Sequence, residues 1–332
     1  MEKVKAPNTY TAYKLKQSLV KLVPVIALLA LFGALCFTVT SKGYRLDMYL
    51  EIIFNEGVVL AVVATGAIFI YTLGSFDISL GASTLLSAAL GVLTYNATGS
   101  LPLMILVIMA TAIGCSLLSS VLASVFRIPV FVTTVAMMSI LSAIARQLIT
   151  TYGGALGGIS IPSEVVKSLD EPGFKIAVLV IWALVCVFVF NYTKIGRRQK
   201  FLGGNPVCAK LSGIGLNKYA IIAFVMAGIG VGIGAFLTLV YTPSVNTGTA
   251  GSIGMNIIVA IVFGGMPISG GARSKISAAL MGGFSYILLN NILKLLIDGN
   301  AGYGISQIIS AVFFLAVVCV TGMNYRSKML PR

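Results

Sequence analysis

Few residues in this chain could do chemistry, and most of those are amides. Asp77 and Ser79 sit in the turn GSFDISLGA (74–82), while Asn256, Asn290 and Asn291 lie in or beside apolar runs. There is no histidine among the 332 residues, no GxxxxGK[ST] phosphate loop, and no CxxC pair among the five cysteines (Cys36, Cys115, Cys186, Cys208 and Cys319). A metal site, a nucleophile–base pair and nucleotide hydrolysis on this chain all lack candidate residues. Proton relay lacks a carrier too, because the ionisable groups nearest a membrane interior, Asp77 and Arg146, fall at span ends. What remains is hydrogen bonding. Asn256, Asn290 and Asn291 either tie helices together or line a path for a hydroxylated solute. Asp77 either caps the helix that follows it or takes part in a gate.

The elements that must position these groups are membrane helices. Hydrophobic residues make up 58% of the chain and charged residues 10%, against about 25% charged in soluble domains. About 20 apolar residues cross a bilayer, and ten candidate spans appear, near 20–40, 57–73, 78–95, 101–125, 130–150, 175–192, 219–242, 255–265, 276–293 and 305–323. The eighth is short and closed by Gly264, Gly265 and Pro267, as a broken helix would be. Met1 to Gln17 is too long for a signal-peptide n-region, so the first span is expected to stay uncleaved. Trp182 and the tyrosines near span ends read as interface anchors.

The net charge of +14 is no nucleic-acid signal, because the basic residues sit in short runs between apolar stretches. With the N-terminus inside and ten spans, 17 of the 23 basic residues fall on the inner side. That bias sets orientation and predicts both termini in the cytoplasm. The acids Asp47, Glu51 and Glu56 then fall outside, with Asp77 inside. The whole of 1–332 reads as one transmembrane domain with cytoplasmic tails at 1–19 and 324–332 and a cytoplasmic loop at 193–218.

That loop holds Lys194, Arg197, Arg198, Lys200, Lys210 and Lys218 and no acid. Gly203-Gly204-Asn205-Pro206 is a turn signal, and a short helix is expected after it, with Asn205 as cap and Pro206 in the first turn. Val207, Leu211 and Ile214 would share one face, and Gly213 and Gly215 would end the helix. Such a face suits a groove on a soluble partner or an anionic lipid surface. Elsewhere, residues 74–90 and 264–280 share nine identities in 17 positions at a constant offset of 190. This internal repeat would place both segments in the same orientation, each turning at the inner face. Gly228, Gly230, Gly232 and Gly234 allow close helix packing.

FLGGNPVCAKLSGIGLNK (201–218) resembles the cytoplasmic loop of permeases from sugar-type ABC importers, the ribose, galactose, xylose, arabinose and autoinducer-2 group related to branched-chain amino-acid permeases. GSFDISLGA (74–82) resembles the first glycine turn of that family, FGGMPISGGARSKISAALMGG (263–283) its second, and Leu289-Asn290-Asn291 the run that follows. The resemblance implies an all-α permease of about ten spans in a bacterial cytoplasmic (inner) membrane. It implies a second permease subunit, identical or paralogous, cytoplasmic ATPase subunits that hold ATP and Mg, and an extracellular or periplasmic solute-binding protein. Gly203, Gly204, Asn205, Pro206, Val207, Lys210, Leu211, Ser212, Gly213 and Ile214 would form the segment that couples to the ATPase, and Asp77, Ser79, Asn256, Asn290 and Asn291 the substrate path. Two departures loosen the choice of substrate: Gly254 and Asn256 stand where sugar permeases often carry acids, and Val207 and Cys208 replace alanines. A nucleoside permease of the same family and an ATP-independent secondary transporter are the rival readings.

Overall fold

Apolar runs of this length satisfy their backbone groups only as helices, and helices dominate the structure. The computed structural model describes residues 8–154, 157–249, 253–266 and 270–296, the first 17 of these as backbone only, with isolated helical positions at 308, 309, 311, 312, 315 and 319. Most of the tenth expected span, the tail 324–332 and Pro267 lie outside the described residues. The helices are α1 (Asn8–Ser41), α2 (Leu46–Thr72), α3 (Leu80–Thr98), α4 (Leu101–Phe126), α5 (Val130–Tyr152), α6 (Ser163–Lys167), α7 (Pro172–Tyr192), α8 (Lys194–Gly204), α9 (Pro206–Leu211), α10 (Leu216–Tyr241), α11 (Ile253–Phe263) and α12 (Ile276–Leu296). A two-stranded antiparallel ribbon, β1 (Gly158–Ser160) with β2 (Ser244–Asn246), is the one addition to the all-α plan among the described residues.

Seven helices, α2, α3, α4, α5, α7, α10 and α12, are long and apolar enough to cross a bilayer. In α1 the side chains are described from Val25 onward, and Val25–Ser41 is apolar. At 11 residues, α11 is about 16 Å long, half of a hydrocarbon core of about 30 Å. The short eighth span is therefore a helix that does not cross.

Burial sorts these helices into a centre and a rim. The apolar window of α2 is 83% buried, against 22% for α7 and 28% for α4. On the rim helices, Leu106, Val125, Phe131, Ile181, Leu184 and Phe188 face outward, as lipid-facing side chains do.

The centre is held by close backbone approach, which small residues permit where no hydrophobic effect drives helices together. The glycines of α10 work on two faces rather than along one line. Gly230 lies on Gly66 of α2 and Gly234 on Val63, while Gly228 lies on Ile113 of α4 and Gly232 on Met109. Each face repeats at i, i+4, so α10 wedges between α2 and α4. Trp182 belongs to this core and is no interface anchor: it is 6% exposed and donates its indole N–H to the Val62 carbonyl at 3.0 Å. An indole with a main-chain acceptor at hand has no need of the headgroup region.

The repeated segments do lead from α2 into α3 and from α11 into α12, and their turns meet at one end of the bundle. They diverge in detail. Gly81 and Ala82 lie inside α3, whereas the matching Gly271 and Ala272 lie in the second turn. Gly270 and Gly271 take positive φ of 62° and 103°, where the first copy has Leu80 and Gly81 in helix. Two consecutive left-handed glycines cannot continue a right-handed helix, so α12 starts six repeat positions later than α3.

Candidate functional site

The C-terminal end of α2 is where three glycine segments converge. The last carbonyls of a helix lack intrahelical donors, and here they are covered by main chain. Gly74 N–H donates to Tyr71 O at 2.9 Å, and Gly271 N–H donates to Thr72 O at 3.1 Å. Gly270 packs on the Tyr71 carbonyl and Gly203 on the Thr72 carbonyl, so a Cβ on either would overlap that oxygen. Gly203 would also place a Cβ 3.2 Å from the Cα of Gly271. The basic loop, the first glycine turn and the second are thus one junction, joined through backbone.

Around it the loop folds as α8 and α9. Thr193 caps α8 by accepting from Ile195 N–H at 3.2 Å, and Gly196, Gln199 and Leu202 form its buried face. Cations on α8 are tied back to the bundle: Arg198 donates to the Tyr219 hydroxyl at 2.7 Å, and Lys200 lies 4.2 Å from the Phe190 ring centre and bonds Asn191. Asn205 Oδ1 accepts from Cys208 N–H at 3.0 Å, the expected cap, with Pro206 opening α9.

The face of α9 differs from the expected one. The helix ends at Leu211, and Gly213 at φ 75° turns the chain back so that Ile214 N–H reaches the Ala209 carbonyl at 3.0 Å. This left-handed closure puts Ile214 against Leu202, Ala209 and Tyr219. Ile214 therefore anchors α9 to the bundle and does not share its outer face. Val207 and Leu211 remain on that face, 69% and 84% exposed, with Cys208, Lys210 and Ser212 also exposed.

Asp77 belongs to the junction end, in the turn between α2 and α3. Its Oδ1 accepts from Ser79 N–H at 2.8 Å and from Ser79 Oγ at 2.6 Å. This Asx turn leads the chain toward α3, but the cap position is Ser79 and no side chain caps the helix, so Asp77 shapes the turn and is not the expected cap. Its Oδ2 and the Tyr71 hydroxyl have no hydrogen-bond partner among the described residues. Both line a small pocket with Ser75, Phe76, Ile257 and Ile261. Burial pushes the Asp77 carboxyl up to about 6.

The amides are elsewhere. Asn256 and Asn290 line an open cleft of about 820 Å³ with Glu56, Thr238, Tyr241, Thr242 and Lys294, among others. This cleft lies toward the other end of α2, since Glu56 and Thr72 are separated by 16 helical steps, about 24 Å. Asn291, though adjacent to Asn290, faces inward: it is 5% exposed and donates to Glu56 Oε2 at 3.2 Å and to the Ile287 carbonyl at 3.0 Å. The Tyr286 hydroxyl donates to Asn256 Oδ1 at 2.9 Å. The five residues expected on the path thus divide among a junction (Asp77, Ser79), a cleft (Asn256, Asn290) and a packing contact (Asn291).

Sequence reasoning missed Glu56, Tyr241 and Lys294. Reading the second span from residue 57 placed Glu56 outside it, whereas α2 begins at Leu46 and carries Glu56 three turns in. The available signal was the continuous helical stretch before the apolar window, free of glycine and proline from 46 to 56. Among the described residues no group of three or more histidine, cysteine, aspartate or glutamate side chains could hold a metal.

Known proteins resemble this chain in sequence. Ribose import permease protein RbsC of Haemophilus influenzae is 27% identical over 330 residues, 96% of this chain and 97% of its own length. The RbsC protein of Escherichia coli strain K12 is 26% identical over 92% of each chain. Autoinducer 2 import system permease protein LsrC of Yersinia enterocolitica is 25% identical, covering 82% of this chain and 75% of its own. No solved structure matches the chain. Residues 49–321 match the family described as branched-chain amino acid transport system / permease component, and this multi-pass membrane protein belongs to that family.

Proposed function

We propose that the chain is the permease subunit of an ABC importer that moves a monosaccharide or similar polar solute inward, driven by ATP hydrolysis on separate cytoplasmic subunits. The observation that carries this reading is α9. It presents Val207 and Leu211 to solvent while its base is fixed through Gly203 to the end of the central helix α2. An exposed apolar pair on a short helix suits a groove on a soluble protein, and its attachment to α2 would pass a push from that protein into the bundle. Gly203 through Ile214 then form the ATPase-coupling segment. Residues 1–19, 193–218 and 324–332 lie in the cytoplasm in this reading. ATP and Mg bind the ATPase, and a second permease subunit and an external solute-binding protein complete the importer. The names of the relatives, which concern ribose and autoinducer 2, favour a neutral, hydroxyl-rich solute.

The test is Leu211→Asp. A charge at the centre of a docked apolar contact costs about 2 kcal/mol or more, roughly thirtyfold in affinity. We expect uptake by whole cells to fall to background and the ATPase to stop co-purifying, with permease abundance in the membrane unchanged. Undiminished uptake by this variant, or uphill transport by vesicles holding the permease alone, would defeat the reading.

A further inference from the structure

We propose that the cleft around Glu56 is a binding site for a neutral polyhydroxylated solute, with Glu56 as its principal hydroxyl acceptor. The proposal rests on the transport reading above, and adds a site and its key residue.

The first support is the position of the carboxylate. Glu56 lies inside α2, on a helix read as crossing the bilayer. Ionisable groups at such positions are costly and are kept where they face a polar cavity. Glu56 faces such an opening, the cleft that it lines with Asn256 and Asn290.

The second support is the set of groups that converge there. A carboxylate offers several acceptor positions, and an amide offers both donors and acceptors. Neighbouring hydroxyls, each donor and acceptor at once, are matched by that combination. Glu56, Asn256, Asn290, Thr238 and Thr242 supply it, and Tyr241 lines the same cleft. Glu56 and Lys294 are the charged residues lining the cleft among those described, one of each sign. That balance suits a neutral solute better than an anion or a cation.

The third support is orientation. Asn291 donates to Glu56 Oε2, and Tyr286 donates to Asn256 Oδ1. Both donors belong to α12, so one helix fixes the direction of a polar group on α2 and another on α11. If Glu56 served only to join α2 to α12, the Asn291 contact would suffice, and a glutamine would serve as well. The acceptor role distinguishes the two cases.

The experiment uses the full chain in lipid nanodiscs with Thr242→Cys at the cleft rim. Its alkylation by a small maleimide is followed by peptide mass spectrometry. D-ribose, D-xylose and D-galactose are the probes. Cys208, exposed on α9, is the internal control. At least one sugar should slow labelling at position 242, by about tenfold when present at ten times its dissociation constant, and leave Cys208 unaffected. Adding Glu56→Gln should abolish that protection while leaving the elution profile and unprotected labelling rate unchanged. Absence of protection by all three sugars, equal protection in the glutamine variant, or equal slowing at Cys208 would each overturn the site. The coupling reading is judged separately. Protection without ATP-driven uptake would sink that reading and keep this site, and uptake without protection would do the reverse.

Discussion

The two ends of α2 are built from different materials. At its C-terminus the contacts run from main chain to main chain: Gly203, Gly270 and Gly271 lie against the carbonyls of Tyr71 and Thr72 with no room for a side chain. Toward its N-terminus the contacts are side chains around open space, Glu56 with Asn291 and Asn256 with Tyr286, beside an 820 Å³ cleft. A backbone junction has little freedom to adapt and transmits displacement; a ring of polar side chains can reorganise around a solute. In the proposed importer, this difference makes one central helix a rigid link between a mechanical end and a chemical end. Packed interiors respond by discrete rearrangement, not smooth deformation, and α2 is the most buried of the membrane-spanning helices.

The largest effect that could break this comparison is Gly203→Ala. Its Cβ would overlap the Thr72 carbonyl oxygen, whereas a Cβ on neighbouring Gly204 would meet only the Ala272 methyl at 3.4 Å, an ordinary contact. Overpacking against rigid backbone costs about 1–3 kcal/mol. Uptake by cells carrying Gly203→Ala should fall at least about tenfold, while Gly204→Ala should remain near wild type. Equal behaviour of the two would show that the junction is not built on backbone contact.

A smaller effect sharpens the other end. Asn290 and Asn291 are adjacent, yet one lines the cleft and the other bonds Glu56. Asn291→Leu removes a hydrogen bond to a charged group, worth about 1.5–3 kcal/mol. Asn290→Ala removes a group from open space and should change stability by no more than about 0.5 kcal/mol. Thermal unfolding in detergent should therefore separate the neighbours, with only the Asn291 variant losing several degrees. A comparable loss in Asn290→Ala would mean that the cleft wall is structural.

What the sequence made legible were features set by local rules. Asn205 before Pro206 announced a capped helix start, Gly213 announced its end, and the closing Gly264-Gly265 announced a short α11. What it did not show depended on tertiary contact. Ile214 has the right spacing for an exposed face, but the left-handed turn at Gly213 folds it onto Leu202 and Tyr219. Trp182 sits among apolar residues whether it faces lipid or core, and only the Val62 carbonyl decides. The even spacing of Gly228 to Gly234 signals close packing, yet two neighbours on different sides of α10 use alternate members. Glu56 was hidden because a hydropathy window ends where polarity begins, while a helix does not. The junction itself joins segments about 130 and 70 residues apart (Thr72 to Gly203, Gly203 to Gly271), each readable alone, and nothing in any one of them names the others.

The smallest effect belongs to Asp77, the one buried carboxyl at the C-terminal end of α2 among the described residues. Asp77 is 5% exposed, and burial raises its pKa from 3.8 to about 6, against the opposing effect of its hydrogen bonds from Ser79. Between those values the folded protein holds a proton that the unfolded chain has released. Folding stability from this group is therefore fully present below about 4 and declines as pH rises through about 6. Asp77→Asn keeps an oxygen to accept from Ser79 and removes the ionisation. Its melting temperature should lose the decline that the wild type shows between pH 4 and 6, and above pH 7 it should equal or exceed the wild type. Uptake at pH 7 should be unchanged if Asp77 serves the turn alone. A variant that melts normally but transports slowly would instead place this carboxyl in the gate, and would bring chemistry back to the end that the comparison assigns to mechanics.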